Sequence, residues 1–230
     1  MKAIFINGSP RKKWSTYQML EKAMEGAKEA GAEVEFINLY EYDFKGCKSC
    51  FACKLKNAKT NGLCAIKDDL RPVLEKTLNA DVIVIGSPVY FYFNTGVSRS
   101  FMERLMFPVL TYNPKINEET GELESSLLDR TIPTAMIYTT GAPEEMAAQE
   151  FKHALEVNKH FLETIYGYTE TLYTYQTYQF TDYSKYDMME GVEEVRRKQR
   201  DEQFPKDLKK AFELGKRLVE KANEFQQWLY

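Results

Sequence analysis

The chain is poor in several of the materials that would narrow its chemistry at once. It has 2 histidines, 4 cysteines, 8 prolines and 12 glycines in 230 residues. His153 and His160 lie seven apart on a predicted helix with no H-E-x-x-H motif, which leaves no basis for a histidine-built metal centre. No apolar run approaches the roughly 18 residues of a membrane-spanning helix. The opening MKAIFINGSP lacks the ordered basic, apolar and cleavage segments of a secretory signal, so the expectation is a cytoplasmic protein with no membrane partner. Neither sign of charge dominates: 31 Lys plus Arg against 34 Asp plus Glu leave a net −3, which removes any global nucleic-acid signal. There is no G-x-S-x-G for a serine hydrolase. At 43% apolar and 28% charged, the composition also excludes disorder. Four cysteines are too few for a disulfide scaffold, and all fall between Cys47 and Cys64, a concentration that suggests metal or redox chemistry.

Aromatic residues are plentiful by contrast, with 15 Tyr and 14 Phe, many beside glycine or proline. Such rings suit the walls of a flat ligand site. The order of elements is legible from periodicity. Lys2 to Asn7 reads as a strand ended by Gly8-Ser9-Pro10. Thr16 to Ala30 carries apolar residues at helical spacing and stops at Gly31, and Glu33 to Leu39 alternates as a strand. Asp68 to Leu78 reads as a helix, its Asp68-Asp69 suited to capping the start. Ala80 to Gly86 is a continuous β-branched run that belongs in the middle of a parallel sheet, and Ser87-Pro88-Val89-Tyr90 is expected to break it. A helix over Thr95 to Met106, a strand over Thr131 to Tyr138, a helix over Glu145 to Thr164, a strand over Tyr168 to Tyr175 and a closing helix over Lys206 to Trp228 complete the pattern.

Strands alternating with helices predict an α/β fold: a doubly wound five-stranded parallel sheet with helices on both faces. The expected division is a ligand-binding domain over 1–175 and a tyrosine-rich, charged extension over 176–230 packed on it. Two excursions leave this plan. Phe107 to Arg130 is a loop or small hairpin, and Glu193 to Glu202 interleaves acids with Arg196, Arg197, Lys198 and Arg200 as a solvated helical face would.

In such a sheet the loops after the first, third and fourth strands share one site. The first loop, Gly8 to Thr16, offers hydroxyls, Arg11 and the free N–H groups of a helix start, which can hold a phosphate. It is neither a P-loop nor a G-x-G-x-x-G fingerprint. The second, Ser87 to Gly96, sets a proline-stiffened backbone beside Tyr90, Phe91, Tyr92 and Phe93. The third, Thr139-Thr140-Gly141, is small enough to approach a ring edge.

The order G-S-P-R, S-P-V-Y, T-T-G resembles the flavodoxin-like NAD(P)H-dependent FMN reductases over about residues 1–175. The resemblance implies a flavodoxin-like sheet. It also implies that Ser9, Arg11, Ser15 and Thr16 hold the FMN phosphate, that Pro88, Val89, Tyr90, Phe91 and Tyr92 flank the isoalloxazine, and that Thr139, Thr140 and Gly141 lie near its pyrimidine edge. Trp14-Ser15-Thr16 departs from the family's frequent Gly-Asn-Thr.

Cys47-x2-Cys50-x2-Cys53-x10-Cys64 can hold a 4Fe-4S cluster or zinc, or can be small packing residues at the start of a helix, free thiols or a labile disulfide. The run also resembles the compact motif of the iron-sulfur flavoproteins, where the fourth cysteine comes sooner; here Lys54 to Leu63, with Asn61-Gly62, intervenes. Lys45, Lys48, Lys54 and Lys56 surround the group and would favour thiolates. The resemblance therefore implies an FMN-dependent NAD(P)H oxidoreductase that passes electrons to a quinone, a nitro or azo compound, or a protein. A second reading is an iron-sulfur flavoprotein relaying single electrons to a ferredoxin-like partner, and a third is a flavin-binding redox sensor. An exposed flat ring face further predicts a homo-oligomer.

Overall fold

In the computed structural model, residues 1–57, 60, 62–118, 121 and 123–227 are described. Asn61 and Trp228, which the sequence places in a turn and at the end of a helix, lie outside the described residues. In chain order the elements are β1 (Lys2–Asn7), α1 (Ser15–Glu29), β2 (Glu33–Asn38), α2 (Leu70–Leu78), β3 (Val82–Tyr90), β4 (Phe93–Asn94) and α3 (Gly96–Met106). These are followed by β5 (Leu110–Ile116), β6 (Leu123–Ser126), β7 (Ile132–Thr139), α4 (Glu144–Glu150), α5 (Lys152–Tyr166), β8 (Gly167–Thr174), α6 (Val192–Lys198) and α7 (Phe204–Gln227).

Five strands form a parallel sheet in the order β2-β1-β3-β7-β8, and β4 pairs antiparallel with the end of β3. This is the flavodoxin-like α/β arrangement that the sequence predicts. Burial explains why the central strands are apolar throughout. Ile4, Ile6, Ile83 and Ile85 enter one core layer with Leu74, Phe101 and Leu155, while Ala3, Phe5, Val82 and Val84 enter the other with Leu20 and Leu218. Successive side chains point to opposite faces, so a strand covered on both sides needs no polar alternation.

The second layer is closed by α1 and α7 at unusually close approach. A Cβ on Gly215 would lie 1.8 Å from the Ala23 carbonyl oxygen, and one on Gly26 would lie 1.9 Å from that of Phe212. Glycine at both positions lets the two backbones touch.

Three expectations are corrected. Ser87 to Tyr90 does not break the strand: Ser87 and Pro88 stay in register with Tyr138 and Thr139, and Val89 and Tyr90 then pair with Asn94 and Phe93. Only one side of the strand is still paired there, so the missing N–H of Pro88 is tolerated. The helix expected over Glu145 to Thr164 is divided at Phe151, whose backbone (φ −143°) leaves the helical region while its ring is buried and stacks on Tyr92, centroids 5.1 Å apart. The closing helix starts earlier than Lys206. It continues from α6 through a π turn at Gln199–Gln203, where a widened turn accommodates Pro205 and its absent N–H. Within the excursion expected over Phe107 to Arg130, β5 and β6 pair antiparallel.

Candidate functional site

The chain turns from β1 outward to β2 and then returns past β1 to β3, so the sheet reverses direction between β1 and β3. The crevice beyond those carboxyl ends is where such sheets take ligands. Gly8 sits at its floor. Its N–H donates to the Gly86 carbonyl (2.8 Å), its own carbonyl accepts from Thr95 Oγ1 (2.8 Å), and a Cβ there would meet Ser98 Oγ at 1.7 Å. The loop after β1 is thereby clamped to the end of β3 and the start of α3.

The same loop then rises in a compact hydroxyl turn. Asn7 Oδ1 accepts from the Ser9 N–H (3.1 Å), and Ser9 Oγ accepts from the Arg11 N–H (3.2 Å). Helix α1 begins beyond it with Trp14 as N-cap, and no side chain caps its first turn, which also carries no acid. Its leading N–H groups are free to meet an anion, and the helix dipole favours one there. Thr16 Oγ1 and Thr139 Oγ1 are 2.7 Å apart, a buried hydroxyl pair that ties this helix start to the end of β7.

These elements enclose a cleft of about 120 Å³. Ser9, Arg11, Ser15 and Thr16 from the first loop line it, as do Pro88, Val89 and Tyr90 from the second and Thr139 and Gly141 from the third. Three sequence-predicted residues stand off it. Phe91 projects fully into solvent, Tyr92 turns to stack on Phe151, and Thr140 is buried in the turn, its Oγ1 accepting from the Ala142 N–H. Phe91 and Tyr92 both have positive φ, 47° and 70°, in a tight hairpin turn that glycine or asparagine would ordinarily occupy.

Sequence reasoning missed the fourth wall. Thr177, Tyr178 and Gln179, from the extension, line the cleft of their own chain. Arg11 stacks its guanidinium over Trp14 at 3.6 Å and donates to the Gln179 carbonyl. Arg196 donates to Gln179 Oε1 and to the Gly141 carbonyl (3.3 Å), so one residue of the charge run leaves the solvated face. Arg200 of the same run lies over the Tyr178 ring at 4.4 Å, and neither inward contact has a signature in the charge pattern.

Beside the cleft, burial and then the neighbouring Tyr90 raise the pKa of Tyr40. Burial, with Glu144, Glu156 and Asp207, pushes Tyr175 up to about 12. Both are neutral rings at physiological pH.

The cysteines form a second, separate feature. All four are free, and all line one small pocket of about 10 Å³, with Cys50 exposed and Cys64 buried. They are not on a common α-helical face. Ser49 (φ 52°) and Phe51 (φ 54°) are left-handed and curl the C-x2-C-x2-C run around the pocket, leaving only a 3₁₀ turn at Ala52–Lys54. The lysines do not win at every thiol: burial pushes the Cys53 thiol up despite Lys54, whose own pKa burial lowers. Lys54 is instead drawn to the Phe107 and Leu110 carbonyls. Among the described residues, no three His, Cys, Asp or Glu side chains are grouped to hold a metal ion. Tetrahedral zinc would need sulfurs about 3.8 Å apart, given Zn–S bonds of about 2.3 Å. An iron-sulfide cube holds its four cysteines more widely and asks only that they face one space. Cys50 is the exposed member of the set.

Residues 1–121 match the family described as NADPH-dependent FMN reductase, a match that takes in the first two loops and all four cysteines. The chain belongs to the NADPH-dependent FMN reductase family. Within reach of that family, an iron-sulfur flavoprotein of Archaeoglobus fulgidus is 44% identical over 104 residues, 45% of this chain and 48% of that protein. An iron-sulfur flavoprotein of Methanocaldococcus jannaschii is 38% identical over 104 residues, 45% and 51% of the respective chains. The matches thus span about half the length of these curated relatives. By shape, an NAD(P)H:quinone oxidoreductase from Methanothermobacter marburgensis superposes with a TM-score of 0.65 at 16% identity, covering 95% of this chain and 96% of that one. The azoreductase AzrA gives 0.63 at 16% identity, covering 94% and 100%. These likenesses establish a common fold for this FMN reductase family member.

Proposed function

We propose that the chain is an FMN-dependent oxidoreductase whose four cysteines carry a 4Fe-4S cluster, so that electrons pass between the flavin, the cluster and a protein partner. The observation that supports it most is the gathering of Cys47, Cys50, Cys53 and Cys64 around one pocket in a fold whose crevice is lined by hydroxyls, Arg11 and an uncapped helix start. When bound, FMN supplies two-electron exchange with hydride donors, and a cluster supplies transfer of one electron at a time.

The chain's own residues bind and orient. Ser9, Ser15, Thr16, Arg11 and the uncapped first turn of α1 take the phosphate. Pro88, Val89 and Tyr90 support one side of the ring, while Thr139 and Gly141 offer small groups at its edge. The Arg11 guanidinium, which donates to the Gln179 carbonyl, would be the charged group on the phosphate. Thr177 to Gln179 then form a wall that excludes water. Phe91, Tyr92 and Thr140 stand outside the ligand set and shape the turns that present it.

A second reading is a two-electron NAD(P)H reductase for a quinone, nitro or azo acceptor. The exposed rings of Tyr90 and Phe93, 45% and 42% accessible beside the cleft, favour it because a flat acceptor can stack there. Phe91, fully exposed on a strained turn, suits contact with a second copy of the chain, and light scattering at a dimer mass would support this. The deciding experiment is a visible spectrum of protein purified without oxygen, with FMN, iron and acid-labile sulfide measured on the same sample. Flavin with iron and sulfide supports the relay. Flavin without iron, with NAD(P)H turnover, supports the reductase, and loss of both overturns the two readings.

A further inference from the structure

Arg104, on α3, is the largest fully buried side chain among the described residues, 1% exposed. Its guanidinium grips Asp68 with both terminal nitrogens, Nη1 to Oδ2 at 2.5 Å and Nη2 to Oδ1 at 2.8 Å. Nη1 also donates to the Lys45 carbonyl (3.1 Å) and Nη2 to the Ile66 carbonyl (3.4 Å). Lys45 lies two residues before Cys47, and Ile66 two residues after Cys64. One side chain therefore fastens both ends of the segment that carries the cysteines. The preceding residue assists: Glu103 Oε2 accepts from the Cys47 N–H (3.3 Å).

Two further facts turn this from a structural tie into a chemical one. Arg104 forms part of the wall of the cysteine pocket, whereas Asp68 does not. The Arg104 Nε–H is also the one buried side-chain nitrogen or oxygen among the described residues that has no hydrogen-bond partner. A buried donor on an ionised group is normally satisfied. The Cys64 side chain already interacts with this guanidinium, and a thiolate or sulfide sulfur is the kind of acceptor that the unpartnered Nε–H lacks.

We propose that Arg104 is a positioning residue for the cysteine-held cluster, donating its Nε–H to sulfur and supplying the fixed positive charge that sets the cluster's one-electron potential. The inference rests on the cluster reading above. Reduction adds one electron from an external donor, with no bond formed or broken, and gives the cluster one more negative charge. A guanidinium held within the pocket wall favours that reduced state, and hydrogen bonds to sulfur act in the same direction. Asp68, on the far side of the guanidinium, opposes it. The two residues thus carry opposite predicted signs, which a merely structural pair would not.

The test uses full-length protein purified without oxygen, assayed first for iron and sulfide and then titrated with mediators and dithionite while the reduced cluster is followed by EPR. Arg104→Met is expected to shift the potential downward by at least tenfold in the one-electron equilibrium, about 59 mV. Arg104→Lys, which keeps the charge and loses Nε, should shift it less. Asp68→Asn, which keeps the guanidinium, should shift it upward. Iron-loaded variants whose potentials do not move, or move in the same direction, overturn the role of Arg104 while leaving the cluster reading intact. Absence of iron from the wild-type protein overturns the cluster reading and this role with it. Should Arg104→Met fail to fold, the upward shift in Asp68→Asn and its absence are the supporting and overturning outcomes.

Discussion

The hydroxyls of Thr16 and Thr139, 123 residues apart in sequence, meet at 2.7 Å in the floor of the cleft. Thr16 sits in the first turn of α1 and Thr139 ends β7, so the bond fixes the separation between the proposed phosphate loop and the proposed ring-edge loop. Both residues are buried. A valine at either position strands the other hydroxyl, whereas valine at both removes donor and acceptor together. Each single variant is expected to lose roughly 1 to 3 kcal/mol, and the double variant less than the sum. A double-mutant cycle by urea unfolding measures this; strict additivity would show that the pair is not coupled.

Arg11 carries the charge best placed for a phosphate. Arg11→Ala is expected to weaken FMN by about 10- to 100-fold, the worth of a charge-assisted hydrogen bond of roughly 1.5 to 3 kcal/mol. The thermal midpoint of the flavin-free protein should move little, because the guanidinium rests on Trp14 and one carbonyl only. Quenching of flavin fluorescence gives the affinity, and an unchanged Kd would remove Arg11 from the site.

Arg196 pins Gln179 and the Gly141 carbonyl from the far side of the cleft. Arg196→Ala is expected to speed FMN release several-fold, because the wall formed by the extension loses its tie. Stopped-flow dissociation into apoflavodoxin or another flavin trap reads the rate. Equal rates would mean that the wall is held by other contacts.

At the crossing of α1 and α7 there is no room for a methyl group. Gly215→Ala places a Cβ 1.8 Å from a backbone oxygen that cannot rotate away. The expected cost is about 1 to 3 kcal/mol, with α7 pushed off the sheet. Gly191→Ala, where a Cβ meets open space at a φ of 77°, is a control for backbone strain alone. Urea unfolding that finds Gly215→Ala as stable as wild type would refute the close contact.

Glu35 links two lysines, with Lys76 at 2.6 Å and Lys2 at 2.9 Å. The Lys76 hydrogen bond, and then Lys2, hold its pKa below the usual carboxylate range against the opposing effect of burial. A depressed folded pKa contributes stability above the unfolded value of about 4.3, and that contribution is lost as the pH falls through the folded value. Glu35→Gln should therefore be less stable than wild type at pH 7, and the gap should close in acid. Unfolding curves at the two pH values check it; a gap that persisted at pH 2 would sink the linkage.

The sequence by itself determined the five parallel strands, the main helices and their order, though not where β3 ends or that Phe151 divides one helix. Lys2 to Asn7 reads as a strand, Ala80 to Gly86 as a strand in the middle of a parallel sheet, and G-S-P-R, S-P-V-Y and T-T-G mark the three loops of the site, because local periodicity and turn chemistry are properties of neighbouring residues. The cysteine spacing was equally plain. Only the tertiary structure decided that Phe91, Tyr92 and Thr140 leave the cleft, that Thr177, Tyr178 and Gln179 line it, and that Arg196 ties that wall from behind. It alone joined Arg104 to both ends of the cysteine segment. Those outcomes depend on left-handed backbone at Phe91 and Tyr92, on a π turn before Pro205, and on contacts between residues tens of positions apart. No pattern of adjacent residues encodes them, since they arise when layers close on a shared core and each side chain takes the space that its distant neighbours leave.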